Sequence, residues 1–177
     1  MQVIILNQLE KLLRELKVEK NFQEMAIYLD LLLKWNESVN LISKNDIDII
    51  VERHFRDSLL SLNFVCEPKY KNIVDIGSGN GFPAIPLAIV FKEKNFTLIE
   101  IKEKKCYFLK EVKESLGLKN VMIKNDDVNR INFSDFDLVL SRAFLKEEEL
   151  KTFMKDKNFK GDIVYWKKIN KPVLIKL

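Results

Sequence analysis

The sequence predicts an α/β fold: a mostly parallel sheet with one antiparallel strand at its C-terminal end, preceded by a helical extension. Three observations carry that expectation. Leucines recur at helical spacing in the first part of the chain. From Asn72 onward, short apolar runs alternate with amphipathic segments, the pattern of a parallel sheet covered on both faces. The first of those runs ends in Gly77, Gly79 and Gly81, immediately before a helical segment. At 177 residues the chain is long enough for one domain with a full core. It is read as a single unit, 1–177, with residues 1–64 as the extension and 70–177 as the sheet core.

Leu6, Leu9, Leu12, Leu13 and Leu16 mark the first helix. Phe22, Met25, Ala26, Leu29, Leu32 and Leu33 mark the second. Two further helices are expected over 46–51 and 55–64. A loop with Pro68 then leads to strands expected over 73–76, 96–100, 121–124, 136–141 and 163–167. Helices are expected over 84–91, 104–116 and 145–155. Gly117 sits where a helix C-cap wants glycine, and Pro83 falls in a first turn, where its missing N–H costs nothing. The crossovers should be right-handed. Residues 173–177 form a last strand. Only Lys168 to Pro172 separates it from its predecessor, too few for a crossover helix, so the two should pair as an antiparallel hairpin. There is no internal repeat and no low-complexity segment.

Apolar residues make up 47% and charged residues 32%, ordinary for a soluble globular protein. A formal charge of +4 permits a polyanionic partner without demanding one. The small lysine groups, such as Lys102 with Lys104 and Lys105 or Lys167 with Lys168 and Lys171, read singly as solvated faces. One histidine, His54, and two distant cysteines, Cys66 and Cys106, argue against a zinc site and a disulfide scaffold. No run reaches the roughly 20 apolar residues of a membrane span, and Met1 to Leu6 lacks the basic start of a signal peptide. A reducing, cytoplasmic setting is expected.

Strand, glycine turn, helix is the unit that grips the adenosine end of a nucleotide-like cofactor. The dinucleotide fingerprint G-x-G-x-x-G needs its third glycine where a helix N-terminus cradles a pyrophosphate. Here that position is Phe82, and the glycine falls one residue early. A bulky ring there suits a cofactor without phosphate. Asp75-x-Gly77-x-Gly79-x-Gly81 resembles motif I of class I S-adenosylmethionine-dependent methyltransferases, with Ser78 inside the turn.

Ligands of open α/β sheets sit beyond the carboxyl ends of the strands. Glu100 ends the second strand nineteen residues past Gly81 (100 − 81), near the roughly 20 expected of the acid that accepts from ribose hydroxyls. Otherwise it is a solvent-facing acid opening the next helix. The third strand ends near Asp127, Val128 and Asn129, where an acid or amide either accepts from adenine's amino group or caps a helix. Asp75 either meets the amino group of a methionine moiety or orients the turn. Arg142, at the end of the fourth strand, only donates, and the N7/O6 edge of guanine consists of two acceptors; alternatively it pairs with Glu100 or Asp75. Amine methylation in bases typically uses an Asn/Asp-Pro-Pro-aromatic loop, which is missing here. Methylation of a pyrimidine ring carbon needs a nucleophilic cysteine, and Cys66 and Cys106 read as small packing residues.

Taken together, these pieces resemble the small-subunit (16S) ribosomal RNA methyltransferase G family, also called glucose-inhibited division protein B. The resemblance rests on Lys34-Trp35-Asn36 with Asn40-Leu41, Arg53-His54 with Asp57-Ser58-Leu59, the run from Asp75 to Pro83, and Ser141-Arg142-Ala143-Phe144. It covers most of the chain. It implies a Rossmann-like fold and methyl transfer from S-adenosylmethionine to N7 of one guanine in 16S ribosomal RNA. It implies cofactor contacts at Gly77, Phe82, the Val128-Asn129 backbone and Arg142, and RNA contact at Lys167. The partner is then the small ribosomal subunit, with no DNA, membrane or metal, and a monomer is expected. Ala84 departs from the family's usual glycine and Asn129 from a common glutamate. A helix and strand of the family are missing between Lys168 and Pro172, so the end is shortened. On their residues alone, Trp35 reads as a core aromatic, Asn36 as a helix-terminating amide, and His54 with Asp57 as a satisfied pair tying helices to sheet. The competing reading is a class I methyltransferase acting on a small molecule or protein side chain. Guanine N7 carries an in-plane lone pair, so no general base is needed, and Arg142→Ala should lose activity while the fold persists.

Overall fold

A computed structural model describes residues 2–142 and 144–177. Helix α1 (Gln2–Glu15) buries Ile5, Leu9, Leu12 and Leu13, the stripe that a 3.6-residue turn aligns. Helix α2 (Phe22–Asn36) buries Met25, Tyr28, Leu29 and Leu32. The Asn36 side-chain oxygen then accepts from the N–H groups of Leu41 and Ile42, both at 2.8 Å, and turns the chain. Trp35 is only half-buried, and its indole donates to Glu111 at 3.0 Å.

The two helices expected over 46–51 and 55–64 are differently cut. A 3₁₀ turn at Lys44–Asp46 is followed by a π-helical stretch, Val51–Arg56, and two short helices, α3 (Asp57–Leu59) and α4 (Leu62–Val65). The wider π turn, a feature frequent at functional sites, lets Val51, His54 and Phe55 all face inward. Arg56 holds the stretch to α1 through a two-point contact with Glu15, at 2.7 and 2.8 Å.

The sheet and its helices follow as β1 (Asn72–Ile76), α5 (Ala84–Val90), β2 (Asn95–Ile99), α6 (Glu103–Ser115), β3 (Val121–Lys124), β4 (Leu138–Ser141), α7 (Glu147–Asp156), β5 (Asp162–Lys168) and β6 (Lys171–Lys176). Spatial order is β3-β2-β1-β4-β5-β6. All neighbours are parallel except β5 and β6. The hairpin closes more tightly than expected, with Lys168 opposite Lys171 and Asn170 in the left-handed region at φ 57°. Strand β4 starts later than expected because Asp137 is spent elsewhere: its carboxylate accepts from the N–H groups of Lys71 and Asn72. Gly117 takes φ 60° after α6, where the N–H of Leu118 closes on the carbonyl of Lys113.

The helices of the extension share one apolar core with α5, α6 and one face of the sheet. Val74, Ile76, Ile99, Phe133, Val139, Leu150, Met154 and Ile163 form a second core on the other face. Cys106 is buried, but Cys66 is exposed, contrary to a packing role; it lies at the end of α4, outside both cores. Among the described residues, no helix is long and apolar enough to cross a membrane.

Candidate functional site

The chain leaves β1 for β2 on one side and later returns to β4 on the other. The carboxyl ends of β1 and β4 therefore border the topological switch point, where such sheets bind ligands. The glycine turn starts there. The N–H groups of Gly77 and Ser78 both donate to the carbonyl of Ile99, at 3.0 and 2.9 Å, so the turn is pinned to the end of β2. The Ser78 hydroxyl donates to the carbonyl of Asp75 at 3.0 Å and is buried, and the Ser78 carbonyl accepts from the N–H of Gly81 at 2.7 Å, so Ser78 holds the turn together.

Gly77, Gly79 and Gly81 have φ of 70°, 57° and 93°, a region that side chains resist. A Cβ on Gly81 would lie 2.8 Å from Ile85 and 3.0 Å from the Tyr28 hydroxyl. On Gly77 it would lie 2.9 Å from the Phe144 ring. On Gly79 it would make only ordinary contacts, with the Gly77 carbonyl oxygen and Lys105 Nζ at 3.7 Å.

The extension fastens directly onto the turn. The fully buried Tyr28 donates its hydroxyl to the carbonyl of Asn80 at 2.6 Å, and the Asn80 amide donates to the carbonyl of Leu41 at 3.1 Å. Phe82 is part of the same packing: its ring lies about 5 Å from those of Tyr28, Phe55 and His54. The aromatic residue at this position thus has a packing cause that the motif comparison did not supply.

Glu100 is not the solvent-facing acid of the alternative reading. It is 6% exposed, and its carboxylate accepts from the N–H of Gly79 and the N–H of Lys102, both at 2.8 Å. A carboxylate offers about four lone-pair positions, so two remain. Replacing Glu100 with Gln removes the charge and sets an NH₂ against a backbone N–H. If the remaining positions take ribose hydroxyls, affinity for S-adenosylhomocysteine should fall by about tenfold or more, measured by calorimetry; an unchanged dissociation constant would exclude Glu100 as a ligand contact.

At the end of β3, Asp127 takes the capping role: its Oδ1 accepts from the backbone and side-chain N–H of Asn129, both at 2.9 Å. Those bonds hold its carboxyl below the usual range. Val128 is buried in the second core, whereas Asn129 is exposed and its carbonyl accepts from Lys157. Asn125 donates to the carbonyls of Glu100 and Ile101, at 2.9 and 3.0 Å, and stitches the ends of β2 and β3 together.

Arg142 pairs with neither Glu100 nor Asp75. Its Nη2 meets Nδ1 of His54 at 2.7 Å and its Nη1 donates to Asp57 at 3.3 Å. His54 and Asp57, expected to satisfy each other, instead both turn to this arginine, His54 from the π-helical stretch and Asp57 from the start of α3. Asp57 also accepts from the N–H of Asn170 at 2.5 Å, and its carbonyl accepts from the indole of Trp166 at 2.9 Å. Asp57 is buried and Arg142 largely so, which pushes the carboxyl up and the guanidinium down despite their attraction. Ala143 of the Ser141–Phe144 run lies outside the described residues, as does Met1.

Burial, reinforced by Arg142, pushes His54 down to about 4. The ring is neutral at pH 7, and because Nδ1 accepts from arginine the proton belongs on Nε2. Nε2 is buried without a hydrogen-bond partner among the described residues, 3.9 Å from Asp46. The unfolded chain binds this proton from 6.5 downward and the folded one does so only near 4. The stabilisation is complete above 6.5 and is lost as pH falls through 4. As the only histidine in the chain, its NMR titration is unambiguous. A midpoint near 4 is expected, and one near 6.5 would contradict the buried contact.

Burial also pushes Asp75 up to about 7; it is 2% exposed and its Oδ2 has no partner among the described residues. A cleft of about 410 Å³ opens at the ends of β4 and β5, lined by Arg53, His54, Arg142, Tyr165 and Lys167 among others. Lys167 is well exposed and lies 3.6 Å from Glu147. Among the described residues, no group of three His, Cys, Asp or Glu side chains is placed to hold a metal.

A family profile described as rRNA small subunit methyltransferase G matches residues 21–172. The Ribosomal RNA small subunit methyltransferase G of Brachyspira hyodysenteriae is 38% identical over 154 residues, 86% of this chain and 74% of that protein. Its counterpart in Ectopseudomonas mendocina is 42% identical over 135 residues, 74% of this chain and 63% of that protein. This chain spans between 58% and 74% of the length of the curated relatives it matches here, under two thirds for most of them. Among solved structures, M. jannaschii TYW2 in complex with AdoMet matches with a TM-score of 0.52 at 21% identity, over 73% of this chain and 55% of that one. A SAM dependent methyltransferase from Aquifex aeolicus matches at 0.51 and 20%, over 70% and 72%. At those identities the likeness is one of fold.

Proposed function

The chain belongs to the rRNA small subunit methyltransferase G family, and from that premise we propose that it transfers a methyl group from S-adenosylmethionine to N7 of a guanine in 16S ribosomal RNA. The observation that carries the cofactor is the buried Glu100 carboxylate drawn onto the N–H of Gly79 at the switch point. It presents acceptors for ribose hydroxyls and nothing for a phosphate. Asp75 fits the same ligand: a buried carboxyl with an unpartnered oxygen suits an ammonium, which would draw its proton off. Asp75, Glu100 and the backbone of Gly77 to Gly81 would hold the cofactor. When bound, it supplies an electrophilic methyl group on a sulfonium.

This chain's own work is positioning. The N7 lone pair must lie in line with the methyl–sulfur bond at about 3–3.5 Å. That lone pair is the nucleophile, so an arginine cannot occupy it during transfer. Arg142 has five N–H donors and uses two of them on His54 and Asp57; a remaining one fits the adjacent O6. No proton need be removed before attack, and a neutral His54 bound through Nδ1 is not placed to remove one.

The direct test is to map N7-methylguanine in 16S ribosomal RNA from cells with and without this protein. One guanine should lose its methyl group in the deletion strain. An unchanged map, or calorimetry showing NAD bound in preference to S-adenosylmethionine, would overturn the proposal.

A further inference from the structure

We infer that the helical extension is the second support of the cofactor turn, with Tyr28 and Asn36 as positioning residues that fix Asn80 in the shape that binds the methyl donor. This rests on the cofactor named in the function proposed above and adds two residues that act on it at one remove.

A turn in which Gly79 and Gly81 flank Asn80 has little shape of its own, because glycine resists few backbone conformations. Ordering such a turn costs conformational entropy, and a site already held in its bound shape spares the ligand that cost. The first half of the turn is held from the sheet: Gly77 and Ser78 by the carbonyl of Ile99, and Gly79 by Glu100. Among the described residues, the hydrogen bonds that reach Asn80 from beyond the turn both come from the extension. Its carbonyl accepts from the Tyr28 hydroxyl at 2.6 Å, and its side-chain amide donates to the carbonyl of Leu41 at 3.1 Å. The amide oxygen accepts from the N–H of Phe82 at 3.4 Å, so one side chain connects the extension to the far end of the turn.

The groups behind these two bonds are themselves fixed. Burial pushes the Tyr28 phenol up, so it keeps its proton and donates. The missing side chain of Gly81 admits it, since a Cβ there would lie 3.0 Å from the hydroxyl. Leu41 is placed by Asn36, whose oxygen takes the N–H groups of Leu41 and Ile42, both at 2.8 Å. Next to Asn36, Trp35 ties the same end of α2 to α6 through Glu111 at 3.0 Å. Leu109 of α6 lies against Gly81. The stretch from Trp35 to Leu41 thus reaches both the turn and the helix beside it.

The test is S-adenosylhomocysteine binding by calorimetry, with amide hydrogen exchange of the cofactor-free protein alongside. Tyr28→Phe removes one oxygen atom. Its dissociation constant should rise about fivefold. Exchange at the N–H of Gly81 should quicken, while Gly77 and Ser78, bonded to the sheet, keep the wild-type rate. Ile5→Val is the control: it loosens the shared core from α1 to a comparable degree, and it should bind as wild type. Asn36→Ala should also raise the dissociation constant about fivefold. Asn36→Asp keeps the acceptor and should not. The Asn36 pair decides if Tyr28→Phe proves unfolded. A wild-type dissociation constant in Tyr28→Phe, or in Asn36→Ala where that one decides, would overturn the assignment. So would an equal rise in Ile5→Val, which would trace the loss to general weakening of the extension. A wild-type protein that binds no S-adenosylhomocysteine would overturn the proposed function and this inference with it. One that binds it yet methylates no small-subunit RNA would overturn the proposed function alone.

Discussion

Arg142→Ala is expected to abolish methyl transfer and to destabilise the fold by about 3–5 kcal/mol. The second effect follows from its partners. Asp57 has a side chain only 4% exposed, and Arg142 is the cation that faces it there. Removing the guanidinium leaves a buried carboxylate with the N–H of Asn170 but no charge, and it leaves Nδ1 of His54 without its donor. Persistence of the fold, expected from the sequence, therefore becomes a weakened fold. Urea denaturation reads the stability, and single-turnover transfer from tritiated cofactor reads the chemistry. Arg142→Lys should recover part of the stability and little of the turnover, because an ammonium cannot serve two partners and a base from one plane. Unchanged turnover in Arg142→Ala would remove this residue from the mechanism, and an unchanged urea midpoint would show that the buried tie contributes nothing.

Gly81→Ala is expected to be the most damaging change in the glycine turn. Its φ of 93° resists any side chain, and the added carbon would press on Ile85, Tyr28 and Leu109 at 2.8, 3.0 and 3.1 Å. Overpacking of this kind typically costs about 1–3 kcal/mol, and the backbone strain adds about 1–3 kcal/mol more. The pressure falls on the hydroxyl through which Tyr28 holds Asn80, so the joint between extension and turn loosens too. Gly79→Ala makes the contrast. Its new carbon meets only ordinary contacts at 3.7 Å, so melting should change less while cofactor affinity falls, because the N–H of this residue holds the Glu100 carboxylate. Thermal melts with and without S-adenosylhomocysteine separate the two; equal melting losses in both variants would contradict the packing argument.

The strands were legible because their apolar runs are short and bounded by glycine, proline or charge, as at Asn72–Ile76 and Val121–Lys124. The nearness of Glu100 to the turn was legible because its separation follows from the length of one helix and one strand. The π-helical stretch was not. Its hydrogen bonds depart from helical spacing by one residue, and apolar periodicity over Val51–Arg56 does not distinguish a wide turn from a break. Nor were the partners of Arg142. Charge alone pointed to Glu100 or Asp75, but the geometry of the extension decides which acid arrives, and that acid is Asp57 from far along the chain. Tyr28 looked like one more member of an apolar stripe. Only the approach of α2 to Asn80 gives its hydroxyl a partner.

The hydrogen bond from Asn170 to Asp57 has an implication for timing. The backbone N–H of Asn170 at the hairpin turn helps to hold the Asp57 carboxyl down, and Asp57 in turn steadies Arg142. Pulling the hairpin outward withdraws that donor, raises the proton affinity of the acid and slackens its grip on the arginine. Two hydrogen bonds thus link the hairpin turn at the surface to the centre of the molecule.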